Sequence, residues 1–110
     1  MSNFSHLGYS RDCPVELIFA IVGKRWKVRV LFQLSRGSKR FSELSARLDG
    51  ISDKVLSTAL RELERDGLIS RHVFAEVPPR VEYRITEAGR EIWHGIEPLR
   101  TWALRYRSAG

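Results

Sequence analysis

The sequence predicts a mainly α fold with a small antiparallel β-hairpin, and three observations carry that prediction. Within residues 51–69, Val55, Leu56, Ala59, Leu60 and Leu63 share one face at about 100° per residue, the spacing of an amphipathic helix. Next, Ile69, Arg71, Val73 and Ala75 alternate with Ser70, His72 and Phe74, while Val81, Tyr83 and Ile85 alternate with Glu82 and Arg84. A period of two marks strands. Between them Val77-Pro78-Pro79-Arg80 can only be a loop, because each proline removes a ladder donor.

The remaining elements follow in order. Residues 1–12 mix Ser, Asn, Gly and His with Phe4, Leu7 and Tyr9, and are expected to form an irregular arm able to dock on a neighbour. Asp12 and Cys13 lead into Pro14, a favoured first helical residue. Val15, Leu17, Ile18, Ala20, Ile21 and Val22 make this helix apolar almost all round, which implies burial on more than one side. Gly23 interrupts it, and a second helix from about Lys24 carries Trp26, Val28, Val30, Leu31 and Leu34 as far as Arg36-Gly37. Phe41-Ser42-Glu43-Leu44 reads as a helix start with Ser42 as N-cap and with Leu44 and Leu48 facing inward.

Asp49-Gly50 gives a turn, and Ser52 caps the next helix with Asp53 in its first turn, where the helix dipole favours an acid. Gly67 ends that helix as a left-handed cap. A short helix, a tight turn and a longer amphipathic helix make a helix-turn-helix at about 42–66; the strand pair at about 68–86, with its stiff basic tip, makes a wing. Thr86 caps a last helix at about 87–107, in which Ile92, Ile96, Leu99, Ala103 and Tyr106 form a seam of period about 3.5, widened by Trp93 and Trp102. Pro98 removes the bond to the carbonyl of His94, so a kink or restart is expected there.

The chain has 110 residues, enough for one domain with a core but too few to bury every apolar face alone. Lys and Arg number 19 against 13 acids, a formal charge of +6, which is the electrostatic footprint of a phosphate-bearing partner. A single cysteine excludes an intrachain disulfide. The longest strongly apolar run, Leu17 to Val22, is too short for a bilayer, and residues 1–12 lack a signal-peptide layout, so no membrane partner and a cytoplasmic location are expected.

Opposite its apolar face, the helix-turn-helix's second helix carries Lys54, Ser57, Thr58, Arg61 and Arg65 with no carboxylate among them. The acids Asp53, Glu62, Glu64 and Asp66 sit on the flanks. A merely solvated helix has no reason to keep acids off its outermost stripe; a helix lying in a DNA groove does. Lys54, Ser57, Thr58 and Arg61 are therefore the candidates for base-edge contact, and Arg65, a turn further on, for a phosphate. Arg80 at the wing tip is the candidate for the minor groove or backbone. Lys39, Arg40, Ser42 and Ser52 are candidates for phosphate contacts that fix register without reading sequence.

Cys13 stands where the first helix begins, beside Arg11, and both a helix N-terminus and a cation favour a reactive thiolate, while Asp12 opposes it. Without a second cysteine, oxidation would join it to a dimer mate or a small thiol. Trp26, Trp93, Trp102 and Tyr106 at helical spacing read as core or dimer seam before they read as a ligand pocket. His6, His72 and His94 do not cluster with acids or Cys13 at metal spacing, and Glu62 and Glu64 lie on different sides of one helix. No Gly-rich phosphate loop or nucleophilic triad is visible, so no enzyme, cofactor or metal is expected.

With these elements placed, the sequence closely resembles the HxlR-type family of winged helix-turn-helix transcriptional regulators, relatives of the MarR group. The resemblance runs from Cys13-Pro14 to about Trp102. It is carried by Cys13-Pro14-Val15-Glu16, Arg40-Phe41-Ser42-Glu43-Leu44, Gly50-Ile51-Ser52, Leu60-Arg61-Glu62-Leu63-Glu64, Asp66-Gly67-Leu68-Ile69, Val77-Pro78-Pro79-Arg80-Val81-Glu82-Tyr83 and Thr86-Glu87-Ala88-Gly89. Gly23-Lys24-Arg25-Trp26 departs from the common form, which has Lys directly before Trp.

The resemblance implies a winged helix-turn-helix with N- and C-terminal dimerisation helices, occupying residues 13–110. Leu17, Ile18, Ile92, Trp93, Ile96, Leu99, Trp102 and Tyr106 are the expected interface. It further implies a homodimer on an inverted-repeat operator in double-stranded DNA. Several relatives sense electrophiles or oxidants through the cysteine near the amino terminus, so Cys13 is a candidate switch for an unidentified inducer or oxidant. Two other functions remain open: a protein-interaction module on a winged-helix scaffold, and a non-specific DNA-coating protein.

Overall fold

The computed structural model describes residues 13–107, with the elements in the order α1 (Pro14–Val22), α2 (Arg25–Ser35), α3 (Phe41–Arg47), α4 (Asp53–Arg65), β1 (Ile69–Phe74), β2 (Arg80–Ile85) and α5 (Glu87–Tyr106). The expected arm at residues 1–12 lies outside the described residues, as do Arg11 and Asp12 beside Cys13.

The core is aliphatic. Val30, Leu31 and Leu34 of α2, Leu44 of α3 and Leu48 at its C-terminal end, Leu56, Leu60 and Leu63 of α4, and Leu68, Ile69 and Ile85 at the hairpin base are all buried together. A fully buried side chain of this kind contributes about 1.5–3 kcal/mol, so the packing of α4 against α2 and the hairpin base fixes which face α4 shows to solvent. Val55, assigned to the apolar face, is an exception: it is exposed at the rim, one step of helical rotation away from the buried stripe.

Three local devices set the helix ends. The Ser52 hydroxyl accepts the amide of Val55 at 3.1 Å and starts α4 as expected. Gly67 closes the same helix at φ 77°, a left-handed conformation that disfavours any side chain. Thr86 accepts the amide of Gly89 at 3.1 Å, capping α5, and also donates its hydroxyl to the carbonyl of Gly67 at 2.7 Å. One threonine thus ties the end of α4 to the start of α5.

Two expectations about helices are corrected. Ser42 is not the N-cap of α3; the helix begins at Phe41, and the carboxylate of Glu43 accepts the Arg40 amide at 2.9 Å, which places the cap two residues earlier, at Arg40. Pro98 neither breaks nor restarts the last helix, since α5 runs unbroken from Glu87 to Tyr106. His94 and Pro98 both face solvent, so water can satisfy the carbonyl that proline leaves without a donor.

β1 and β2 pair antiparallel, Ile69 opposite Ile85, Arg71 opposite Tyr83, Val73 opposite Val81 and Phe74 opposite Arg80. A link invisible in the sequence joins this hairpin to the helices: Lys39 and Tyr83 exchange two backbone hydrogen bonds, at 3.1 and 2.8 Å. The α2–α3 connection thereby forms a one-residue third strand that fixes the wing relative to α3.

Candidate nucleic-acid interface

The outward face of α4 carries Lys54, Ser57 and Arg61, all exposed, with Thr58 half-buried beside them. Thr58 donates its hydroxyl to the Lys54 carbonyl at 3.0 Å and accepts Arg61 Nη2 at 3.4 Å. Its donor is therefore spent on its own helix, and its part is to orient Arg61 rather than to donate to a base. Lys54 and Ser57 are exposed beside them, and Arg61, with one of its five donors on Thr58, keeps the rest of its guanidinium for another acceptor.

Two of the flanking acids are drawn away from this face. Glu62 accepts Lys27 Nζ at 2.9 Å and lies 3.5 Å from Lys24 Nζ. The Lys27 side chain is only 4% exposed, and its hydrogen bond, supported by the charge of both lysines, holds the Glu62 carboxyl below the ordinary carboxylate range against the opposing effect of burial. Asp66 is buried and pairs with Arg65 at 3.3 Å. Arg65 is correspondingly committed to the end of its own helix, which weakens its assignment to a phosphate. Asp53 and Glu64 remain exposed on the flanks.

The wing corrects the placement of Arg80. It is not at the tip but opens β2, where Nε donates to Glu76 and Nη1 to Glu82, both at 2.9 Å, and its guanidinium stands 4.0 Å from the centre of the Phe74 ring. Two carboxylates and an aromatic face already occupy it. Lys39 is likewise mostly buried, with Nζ donating to the Gly37 carbonyl at 3.2 Å, so its backbone role in the sheet replaces the expected phosphate contact. Arg40 and Ser42 are exposed at the start of α3, whereas Ser52 uses its oxygen as a helix cap.

Between α4 and the wing base opens a cleft lined by Phe41, Ser57, Arg61, Glu64, Arg71 and Tyr83, together with Leu60. Arg71 was read from the sequence only as one of the alternating residues of a strand. The signal that would have singled it out is the register, which pairs it with Tyr83 on the face continuing outward from Ile69 and Ile85.

Cys13 forms the extended N-cap of α1 and is a half-buried free thiol, outside this basic face. Of the residues expected at a dimer interface, Trp93 is corrected: it is 4% exposed and packs against Phe32 at a ring-centre distance of 5.5 Å, inside its own protomer. Leu17, Ile92 and Ile96 are half-buried on the core's edge, whereas Ile18, Leu99, Trp102 and Tyr106 are exposed. Val15 and Phe19 of α1 and Leu104 of α5 belong with them and were not singled out. Trp26 is half-buried and packs against the edge of the core, with the guanidinium groups of Arg25 and Arg29 each 4.7 Å from its ring centre.

Helices around a leucine core, a capped helix with a cationic outer face and an adjoining two-stranded wing define a winged helix-turn-helix regulator of transcription. The chain belongs to the HxlR-like helix-turn-helix family, which it matches over residues 21–110. It is 42% identical over 105 residues to the HTH-type transcriptional regulator YdeP of Bacillus subtilis strain 168, covering 92% of this chain and 82% of that protein. Among solved structures, a MarR-family transcriptional regulator from Enterococcus faecalis V583 superposes with TM-score 0.81 at 34% identity, covering 93% of each chain. The redox regulator HypR in its reduced form superposes with TM-score 0.84 at 35% identity, covering 88% of this chain and 96% of that one. Members of this group regulate transcription and are not enzymes. No helix among the described residues is long and apolar enough to cross a membrane.

Proposed function

We propose that this regulator binds double-stranded DNA as a homodimer, reading an inverted-repeat operator with α4 in the major groove of each half-site. The observation that carries the reading is the outward face of α4: Lys54, Ser57 and Arg61 have no ion pair to a carboxylate among the described residues, while Glu62 is drawn to Lys27 and Asp66 is buried. A face kept positive at the cost of ordering two acids elsewhere suits base edges and phosphates better than it suits a protein partner. Two-fold symmetry would set the half-sites about one helical turn apart.

The exposed apolar residues of α1 and α5 support the dimer, because Phe19 at 69%, Leu99 at 66% and Trp102 at 55% exposure leave most of their large hydrophobic surface uncovered within the described protomer. Selection from random duplexes at low salt tests the reading. An enriched palindrome is expected; retention of duplexes without any sequence preference would indicate a DNA-coating protein, and no retention an interaction module.

Redox control through Cys13 is the finer part of the proposal. It is motivated by a free thiol at the start of α1, beside the apolar dimer face, and by the likeness to HypR. Oxidation would couple two thiols, on paired protomers or on one protomer and a small thiol, with the oxidant accepting two electrons. Titrating DNA binding against diamide checks it: Cys13→Ser should abolish the response, and an unchanged response removes Cys13 as the sensor.

A further inference from the structure

We infer that the cleft between α4 and the wing base is a seat for a DNA backbone phosphate, with Arg71 as its principal ligand, and that the wing engages DNA through this base rather than through Arg80. The inference deepens the DNA-binding reading above and rests on it.

The hairpin register decides which wing cations can share a phosphate with α4. Side chains of cross-strand partners lie on one face of a sheet. Ile69 and Ile85 are partners and point into the core against α4, so Arg71 and Tyr83, two residues further along each strand, extend that same face outward. Phe74 and Arg80, His72 and Glu82, and Ser70 and Arg84 occupy the opposite face. Arg80 is therefore turned away from the cleft, as well as bound by Glu76 and Glu82. Arg84 on that face stands near Glu82 as well, at 3.5 Å.

Arg71 differs on both counts. It is exposed, it lines the cleft together with Arg61 and Ser57 of α4 and with Tyr83, and among the described residues no carboxylate lies within 4.0 Å of its guanidinium. Glu64 is the one acid in the lining, against two arginines. A phosphodiester there meets a planar guanidinium able to bond two oxygens at once, and hydroxyl donors from Ser57 and Tyr83. The cleft is also held in shape: the Lys39–Tyr83 backbone pair fixes Tyr83, and Thr86, directly after β2, ties the end of α4 to the start of α5. Such a seat would set the depth at which α4 enters the groove.

The test compares the full-length protein with Arg71→Gln and Arg71→Lys, measuring duplex affinity by fluorescence anisotropy across a salt series. One duplex carries the selected operator and one a scrambled sequence. A phosphate contact predicts that Arg71→Gln weakens both duplexes about equally, by roughly fivefold to tenfold near 0.1 M salt, and lowers the slope of log K against log salt by about one. Arg71→Lys should keep the slope, since it keeps the charge. Thermal melting of each variant should match the parent, because Arg71 has no ion pair among the described residues to lose. An unchanged slope in Arg71→Gln, with the parent protein binding normally, overturns the phosphate seat and leaves the regulator reading intact. A loss confined to the operator also overturns it, since that is the signature of a base contact. Failure of the parent protein to bind either duplex would remove both proposals.

Discussion

Lys27 shows how a single buried charge shapes the interface. Its ammonium is nearly inaccessible and depends on the Glu62 carboxylate of the neighbouring helix, 2.9 Å away. The pair fastens α2 to α4 and draws an acid off the helix face proposed to meet DNA. Because Glu62 has a carboxyl pKa lowered from 4.5 in the folded protein, it contributes stability that is present above the unfolded value and is lost as pH falls through the folded one. Glu62→Gln should cost about 1–3 kcal/mol at pH 7. In urea denaturation the gap between parent and variant should hold at pH 6 and 7 and shrink as pH is lowered below 4.5. A gap independent of pH would mean the ion pair contributes nothing. The sequence showed where the acids of α4 fall around the helix, but not that Lys27 lay opposite one of them, since that depends on how two helices cross.

Elements were legible wherever hydrophobic period and caps agreed. α4 has a serine cap, an apolar stripe and a terminal glycine, and its start and end were readable from those three signals. Both strands were readable from alternation. The failures occurred where one local rule met a competing one. Pro98 argued for a kink or restart, but α5 does not restart there, since a solvent-facing helix can lose one hydrogen bond to water and continue. Ser42 is a good cap in isolation, yet Glu43 reaching back to Arg40 moved the cap by two residues.

Close approach between elements left only a glycine as its trace. At Gly89 a Cβ would run into the carbonyl of Leu68 and press on Ile85, where α5 crosses the hairpin base. Gly89→Ala is accordingly expected to destabilise by about 1–3 kcal/mol through overpacking, seen as a lowered urea midpoint. A neutral result would show that α5 can slide away from the hairpin at little cost.

At the scale of the whole molecule, the protomer divides into a reading half and an apolar half. α4 presents Lys54, Ser57 and Arg61 outward and the wing presents Arg71 beside the exposed Val73 and Val77, while α1 and the far end of α5 expose the larger Val15, Phe19, Leu99 and Trp102 surface. The seam of α5 was visible in the sequence as a period, but which of its residues stay inside the protomer was not; Trp93 turns inward onto Phe32, and Trp102 stacks on Tyr106 at 4.9 Å instead. Trp102→Ala is expected to weaken the dimer by about 2 kcal/mol, roughly thirtyfold in dissociation constant. Sedimentation over a micromolar concentration series measures this; a parent protein that remains a folded monomer throughout would contradict the dimer.

If the outward face of α4 reads bases, Arg61 is the side chain whose loss should cost the most discrimination. The most direct measurement is the ratio of operator to scrambled-duplex affinity for the parent protein and for Arg61→Ala. A bidentate contact to guanine predicts that the ratio falls by about 1–3 kcal/mol while scrambled-duplex binding drops far less. An undiminished ratio, or equal losses on both duplexes, would contradict it.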